Sequence, residues 1–122
     1  MPTPKPVEVR HKAILITINR SYRDNMTPEE LYEATRGIWV IGTRRDEAEY
    51  AIAVYKGIVR EVYSIDKWYP SGTLKYQTRG DVGPTISPRW EFSGEVAHKI
   101  RDEYVNFYIG KGNQNPIHYV NV

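Results

Sequence analysis

The alternation of hydrophobic and polar residues predicts a chain made mostly of β-strands. Residues 12–22 alternate and are rich in isoleucine and threonine, as is typical of a strand. Residues 49–66 form two apolar runs around Lys56-Gly57, which is the pattern of a β-hairpin with a two-residue turn. Shorter strands are predicted at 38–42, 89–96 and 117–121.

One helix has clear start and end signals. Thr27 is placed to cap it, Pro28 suits the first helical position, and Glu30 completes a capping box. Gly37 can end the helix in the left-handed conformation. The chain is therefore expected to pass directly from this helix into a strand that begins near Trp39.

A second helix is predicted to follow the strand at 89–96. Ser93 is its expected cap, and Val96, Ile100 and Tyr104 recur at helical spacing. Ahead of that strand, residues 69–89 carry three prolines and three glycines without sustained periodicity. Such a long loop in a small domain is typically functional or disordered.

The order of these elements predicts an α+β fold. Two helices accompany the strands without regular strand–helix alternation, which argues against a doubly wound parallel sheet. We expect a small curved sheet or open β-barrel of five to six strands with two flanking helices. The length of 122 residues suits one domain, at 12–122, preceded by an extended proline-rich tail at 1–11.

Composition narrows the class of protein only slightly. With 40% hydrophobic and 26% charged residues, the chain matches ordinary globular domains. The absence of cysteine excludes disulfides and thiolate metal sites, and agrees with a cytoplasmic location. No apolar run approaches the roughly 18 residues of a membrane span. A net charge of +2 is only weak support for nucleic-acid binding.

Motifs for catalysis are missing from the sequence. It contains no Gly-x-Ser-x-Gly elbow, no Walker loop and no dinucleotide fingerprint. Its three histidines are far apart and lack the spacing of a zinc pair. Most carboxylates, Glu33 among them, fall on predicted helix surfaces. We therefore predict no metal and no cofactor, and favour a role other than enzyme.

The three tryptophans, Trp39, Trp68 and Trp90, fall at junctions between strands and loops. Strand ends lie at the opening of a small barrel, so these rings could converge on one pocket for a flat ligand. Stacking of a base on an aromatic ring contributes on the order of 1–3 kcal/mol. Arginines suited to phosphate contacts accompany them in the sequence: Arg20, Arg23, Arg44, Arg45, Arg79 and Arg89. Core rings and scattered surface charge are the alternative interpretation.

The segments "ILITINRSYRDN" and "ATRGIWVIGTRRDEAEYAIAVY" resemble the opening of YTH domains and their EVE relatives in the PUA-like superfamily. The resemblance covers roughly the first 68 residues, and "KGIVREVYSIDKW" also resembles ASCH and EVE domains. It implies that Trp39, in the Gly-x-Trp step, forms one wall of an aromatic cage around a methylated adenine. Trp68 or Trp90 would form the second wall.

Together these features favour a module that binds a modified, flipped base in DNA or RNA, with an associated nuclease domain or subunit as a further partner. Contacts to the base edge are assigned to four polar residues: Asn19, Ser21, Asn25 and Thr43. One alternative is an ASCH-like hydrolase or nuclease that uses Lys56, Glu61 and Tyr63. Another is a protein-interaction accessory domain.

Overall fold

The described part of the computed structural model is a six-stranded sheet with one α-helix. It comprises residues 5–18, 22, 25–37, 39–74, 77–78, 89–109 and 116–122. The strands are β1 (Ala13–Thr17), β2 (Trp39–Val40), β3 (Tyr50–Tyr55), β4 (Ile58–Pro70), β5 (Arg89–Val96) and β6 (Ile117–Val120). The helix α1 is Pro28–Arg36, and two 3-10 helices are Thr43–Glu47 and Arg101–Glu103. No helix in these residues is long and apolar enough to cross a membrane.

The sheet curves until its two edges approach each other. Its strand order is β2-β5-β4-β3-β1-β6, and only the β1–β3 pair is parallel. The edges meet where the backbone N–H of Gly42, just after β2, donates to the hydroxyl oxygen of Tyr119 on β6 at 3.0 Å. The predicted α+β sheet of five to six curved strands is thereby confirmed as a nearly closed, barrel-like sheet.

Hydrophobic residues cover both faces of the central strands. On one face Ile14, Ile16, Tyr63 and Phe92 are buried, and Tyr32 of α1 packs against them. A second cluster, on the other side, includes Ile52, Val59, Val62 and Tyr104, with Val7 and Val9 of the N-terminal segment against it. Because both sides are covered, the middle of β3 is a continuous buried run, not an alternating one.

The start of α1 and its end at Gly37 are as predicted, but the conformation of Gly37 is not. Thr27 and Glu30 form the capping box, with hydrogen bonds of 3.1 and 3.0 Å. Gly37 is extended, with φ −160° and ψ 163°, so the predicted left-handed stop is wrong. The carbonyl of Thr35, in the last helical turn, instead accepts the indole N–H of Trp39 at 2.7 Å. A side chain thus satisfies a carbonyl that the helix leaves free.

The predicted second helix is also wrong within the described residues. Ser93 lies inside β5 and pairs with Lys67 of β4, so it caps nothing. This segment is a strand and not the start of a helix because β5 pairs with β4 as far as Val96. The chain then turns through a 3-10 helix, which buries Ile100 and Tyr104 as their spacing indicated.

Gly94 is a position where only glycine fits. A Cβ atom there would lie 2.0 Å from the backbone oxygen of Ser64 on the neighbouring strand. We predict that Gly94→Ala lowers the free energy of unfolding by roughly 2–3 kcal/mol, because the strands must separate to admit the methyl group. Urea denaturation measures this loss.

Gly42→Ala is the matched control for that experiment. The nearest atom to its added Cβ is the Tyr119 hydroxyl at 3.8 Å, an ordinary contact. We expect it to change stability by no more than about 0.5 kcal/mol. Equal stability of the two variants would contradict the close approach of β4 and β5.

Candidate functional site

The three tryptophans lie on one face of three adjacent strands. Trp39 on β2 is directly opposite Trp90 on β5, and Trp68 on β4 is opposite Phe92. Trp90 and Phe92 are two residues apart in β5, so they share a face. All three indoles are partly buried against the core cluster that contains Phe92. We call this group, Trp39, Trp68 and Trp90, the tryptophan cluster.

The indole nitrogens of the tryptophan cluster differ in their hydrogen bonding. Trp39 Nε1 donates to Thr35, which fixes this ring against the end of α1. Trp68 Nε1 is buried and has no hydrogen-bond partner in the described structure, and its ring packs edge-on to Phe92 at 5.2 Å. Trp68 therefore holds a free donor beside the core face, whereas the donor of Trp39 is already used.

Two arginines of the first 3-10 helix lie on aromatic rings near the same edge. The guanidinium carbon of Arg45 is 3.6 Å from the centre of the Trp90 ring, and Nη1 donates to the Gly42 carbonyl at 2.8 Å. Arg44 lies 4.4 Å from the centre of the Tyr119 ring. These cation–π contacts place positive charge beside the tryptophan cluster. Thr43, one residue earlier, is exposed.

The remaining predicted contacts do not all join the tryptophan cluster. Arg89 is exposed and adjacent to Trp90 along β5, so the alternation of the strand directs it to the opposite face. Asn25 precedes α1, whereas Trp39 bonds to its last turn, roughly 13 Å away along the helix. Five further candidates lie outside the described residues: Asn19, Arg20, Ser21, Arg23 and Arg79.

Comparison with known proteins finds no matching family model, and neither a curated protein nor a solved structure with significant similarity to the chain.

Two buried carboxylates hold the loop that follows β4. Glu33 of α1 accepts the backbone N–H groups of Gln77 and Thr78 at 2.7 and 2.8 Å, and the Thr78 hydroxyl at 2.7 Å. Glu91 of β5 accepts the backbone N–H of Leu74. Both glutamates have 0% exposure. The assignment of Glu33 to an exposed helix surface was therefore wrong, since its side chain is buried and binds Gln77 and Thr78.

Only one weak sequence signal pointed to these glutamates. Glu91 stands between two aromatic residues of a strand, where a charge is unusual unless it has partners. Nothing local distinguishes Glu33 from Glu29, because the groups that Glu33 binds are 44 and 45 positions away.

The pKa of Glu33 reflects these contacts. Burial by itself raises it, but the N–H groups of Gln77 and Thr78 and the Thr78 hydroxyl outweigh that effect. The pKa is therefore lowered from its ordinary 4.5. Charged Glu33 is the form that the folded structure favours.

Two of the three residues nominated for hydrolysis, Glu61 and Tyr63, are committed to structural contacts. Both oxygens of Glu61 accept from Arg101, at 2.8 and 3.2 Å. Tyr63 is 2% exposed, and burial raises the pKa of its hydroxyl. Lys56 is at the hairpin turn, its amino group 5.4 Å from the Tyr55 ring centre. Among the described residues, no three His, Asp or Glu side chains are grouped to hold a metal.

The carboxylate of Glu33 predicts a pH-dependent stability. Because its folded pKa lies below 4.5, its contribution is complete above that pH and is lost as the pH falls through the lowered value. Glu33→Gln should cost roughly 1–3 kcal/mol at pH 7, since an amide cannot accept every one of these hydrogen bonds. Denaturation of both proteins from pH 7 to pH 3 measures the difference, which should shrink under acid.

Glu47→Gln is the control, because Glu47 is an exposed residue of the first 3-10 helix. A Glu33→Gln variant as stable as this control at pH 7 would show that the carboxylate does not hold the loop.

Proposed function

We propose that this protein is a PUA-like nucleic-acid-binding module that receives a flipped, methylated base at the tryptophan cluster. The base of DNA or RNA would stack on the indoles, and the arginines of the first 3-10 helix would contact the neighbouring phosphates. We further propose that the module acts in the cytoplasm and works with a nuclease domain or subunit.

The observation that carries the proposal is that three indoles lie on one face of the adjacent strands β2, β5 and β4. Trp39, Trp68 and Trp90 come from distant parts of the sequence, and strand pairing brings them together. Indoles bind flat groups by stacking and methyl groups by dispersion. The resemblance of the first 68 residues to YTH and EVE domains supports a methylated base as the ligand.

The arginines beside the rings support a nucleic acid in preference to a small neutral ligand. Arg45 lies on the Trp90 ring and Arg44 on the Tyr119 ring. A guanidinium held flat on a ring keeps its N–H groups in the plane, where they can reach phosphate oxygens. Exposed Thr43 is the described candidate for a contact to the base edge. Flipping the base costs a few kcal/mol, which stacking and these contacts must offset.

Binding of single-stranded oligonucleotides tests the proposal. We expect an oligonucleotide with one N6-methyladenine to quench tryptophan fluorescence and to bind at least about tenfold more tightly than its unmethylated match. Trp39→Ala should weaken binding of the methylated strand by on the order of 1–3 kcal/mol, which is the contribution of one stacked base.

Val40→Ala serves as the matched control. Val40 is the next residue of β2, is 60% exposed and lies on the opposite face of the strand. It should bind like the wild type. If the wild type binds neither oligonucleotide, or if folded Trp39→Ala binds as tightly as Val40→Ala, the proposed function is wrong.

A further inference from the structure

A second group of aromatic and basic side chains lies at the β3–β4 hairpin. The rings of Tyr22 and Tyr55 stack with centres 4.4 Å apart and planes inclined by 28°. The guanidinium carbon of Arg60 is 5.0 and 5.5 Å from the two ring centres, and the amino group of Lys56 is 5.4 Å from that of Tyr55. We call these four residues the hairpin cluster.

The hairpin cluster is separate from the tryptophan cluster. Arg60 and Trp68 are eight positions apart on β4, or roughly 25 Å along an extended strand. Strand β4 therefore carries a group of aromatic and basic residues near each of its ends. The proposed base-binding site does not include the hairpin cluster.

Backbone irregularities place both cations. Val54 pairs with Val59 and Ala53 with Glu61, so Arg60 is the extra residue of a β-bulge. Bulges redirect side chains and are frequent beside functional sites. Lys56, with φ 52°, is the first residue of the two-residue turn that the sequence predicted. Each cation thus owes its position to a local departure from regular strand geometry.

Within the part of the chain that the structure describes, the two cations have no acidic partner. Neither Arg60 nor Lys56 makes an ion pair within the described residues, and Arg60 Nε is buried without a hydrogen-bond partner. Arg101 shows the contrasting case, because Glu61 occupies both its Nε and its Nη2. A buried donor without an acceptor costs free energy. An anionic ligand at the Nη groups of Arg60 would supply the acidic partner that the described residues do not provide.

We propose that the hairpin cluster is a phosphate-binding site. The two Nη groups of Arg60 would donate to two phosphate oxygens, and the ammonium group of exposed Lys56 would add positive charge. A planar guanidinium matches phosphate in this paired geometry, and the stacked rings of Tyr22 and Tyr55 limit its rotation. The phosphate comes either from a nucleic-acid strand or from a small phosphorylated compound.

The wild-type protein tests the site without a mutation. Its arginine Nε–Hε NMR signals are followed during titration with sodium phosphate, and with sodium chloride at equal ionic strength. We expect a saturable shift of the Arg60 signal with phosphate and no such shift of the Arg101 signal. If phosphate moves the Arg60 signal no more than chloride does, the proposal is overturned. This readout is independent of tryptophan fluorescence. Phosphate binding at the hairpin cluster and base binding at the tryptophan cluster can therefore be confirmed or refuted separately.

A second experiment identifies the source of the phosphate, which is either a nucleic-acid strand or a small phosphorylated compound. Arg60→Gln and a control, Lys99→Gln at an exposed lysine, are titrated with a single-stranded oligonucleotide at several salt concentrations. If the strand supplies the phosphate, Arg60→Gln reduces the slope of log K against log salt by about 0.7, and Lys99→Gln does not. If the phosphate-induced shift is present and both variants bind the strand like the wild type, the site takes a small phosphorylated compound.

Discussion

The double pairing of β4 is the constraint on which the rest of the structure depends. This 13-residue strand pairs with β3 through its first half and with β5 through its second half. It carries an extra residue in each half, Arg60 and Asp66, and Gly94 lets β5 approach it closely. Because Val62 and Tyr63 fill the clusters on opposite faces, a shift of one residue would exchange the two cores.

Both candidate sites follow from this register. Trp68 reaches the tryptophan cluster because it is opposite Phe92, and Arg60 reaches the stacked tyrosines because a bulge adds it to the strand. Each site combines aromatic rings with arginine. Proteins that bind single-stranded nucleic acids use such side chains to stack on bases and to contact phosphates. The buried carboxylate of Glu33 on α1 binds the backbone of Gln77 and Thr78, two described residues of the segment between β4 and β5.

The sequence predicted correctly those structural features that are formed by residues close together in the chain. The capping box at Thr27 and the Lys56-Gly57 turn involve residues within a few positions of each other, and both predictions are confirmed. Partners distant in sequence decided the rest. Ser93 pairs in a strand because β4 lies beside it, and Glu33 is buried because a loop covers it. The alternation of the predicted strand at 89–96 already directs Arg89 and Trp90 to opposite faces, but only strand register could show that Trp39 is opposite Trp90.

The most direct test of the proposed base-binding pocket is fluorine NMR of the protein labelled with 5-fluorotryptophan. The chain has three tryptophans, so each should give one signal. A single-stranded oligonucleotide containing one N6-methyladenine should shift all three signals together with one dissociation constant. The unmethylated strand should require a much higher concentration for the same shifts. Three signals that stay unmoved at saturating concentrations of the methylated strand would contradict the pocket.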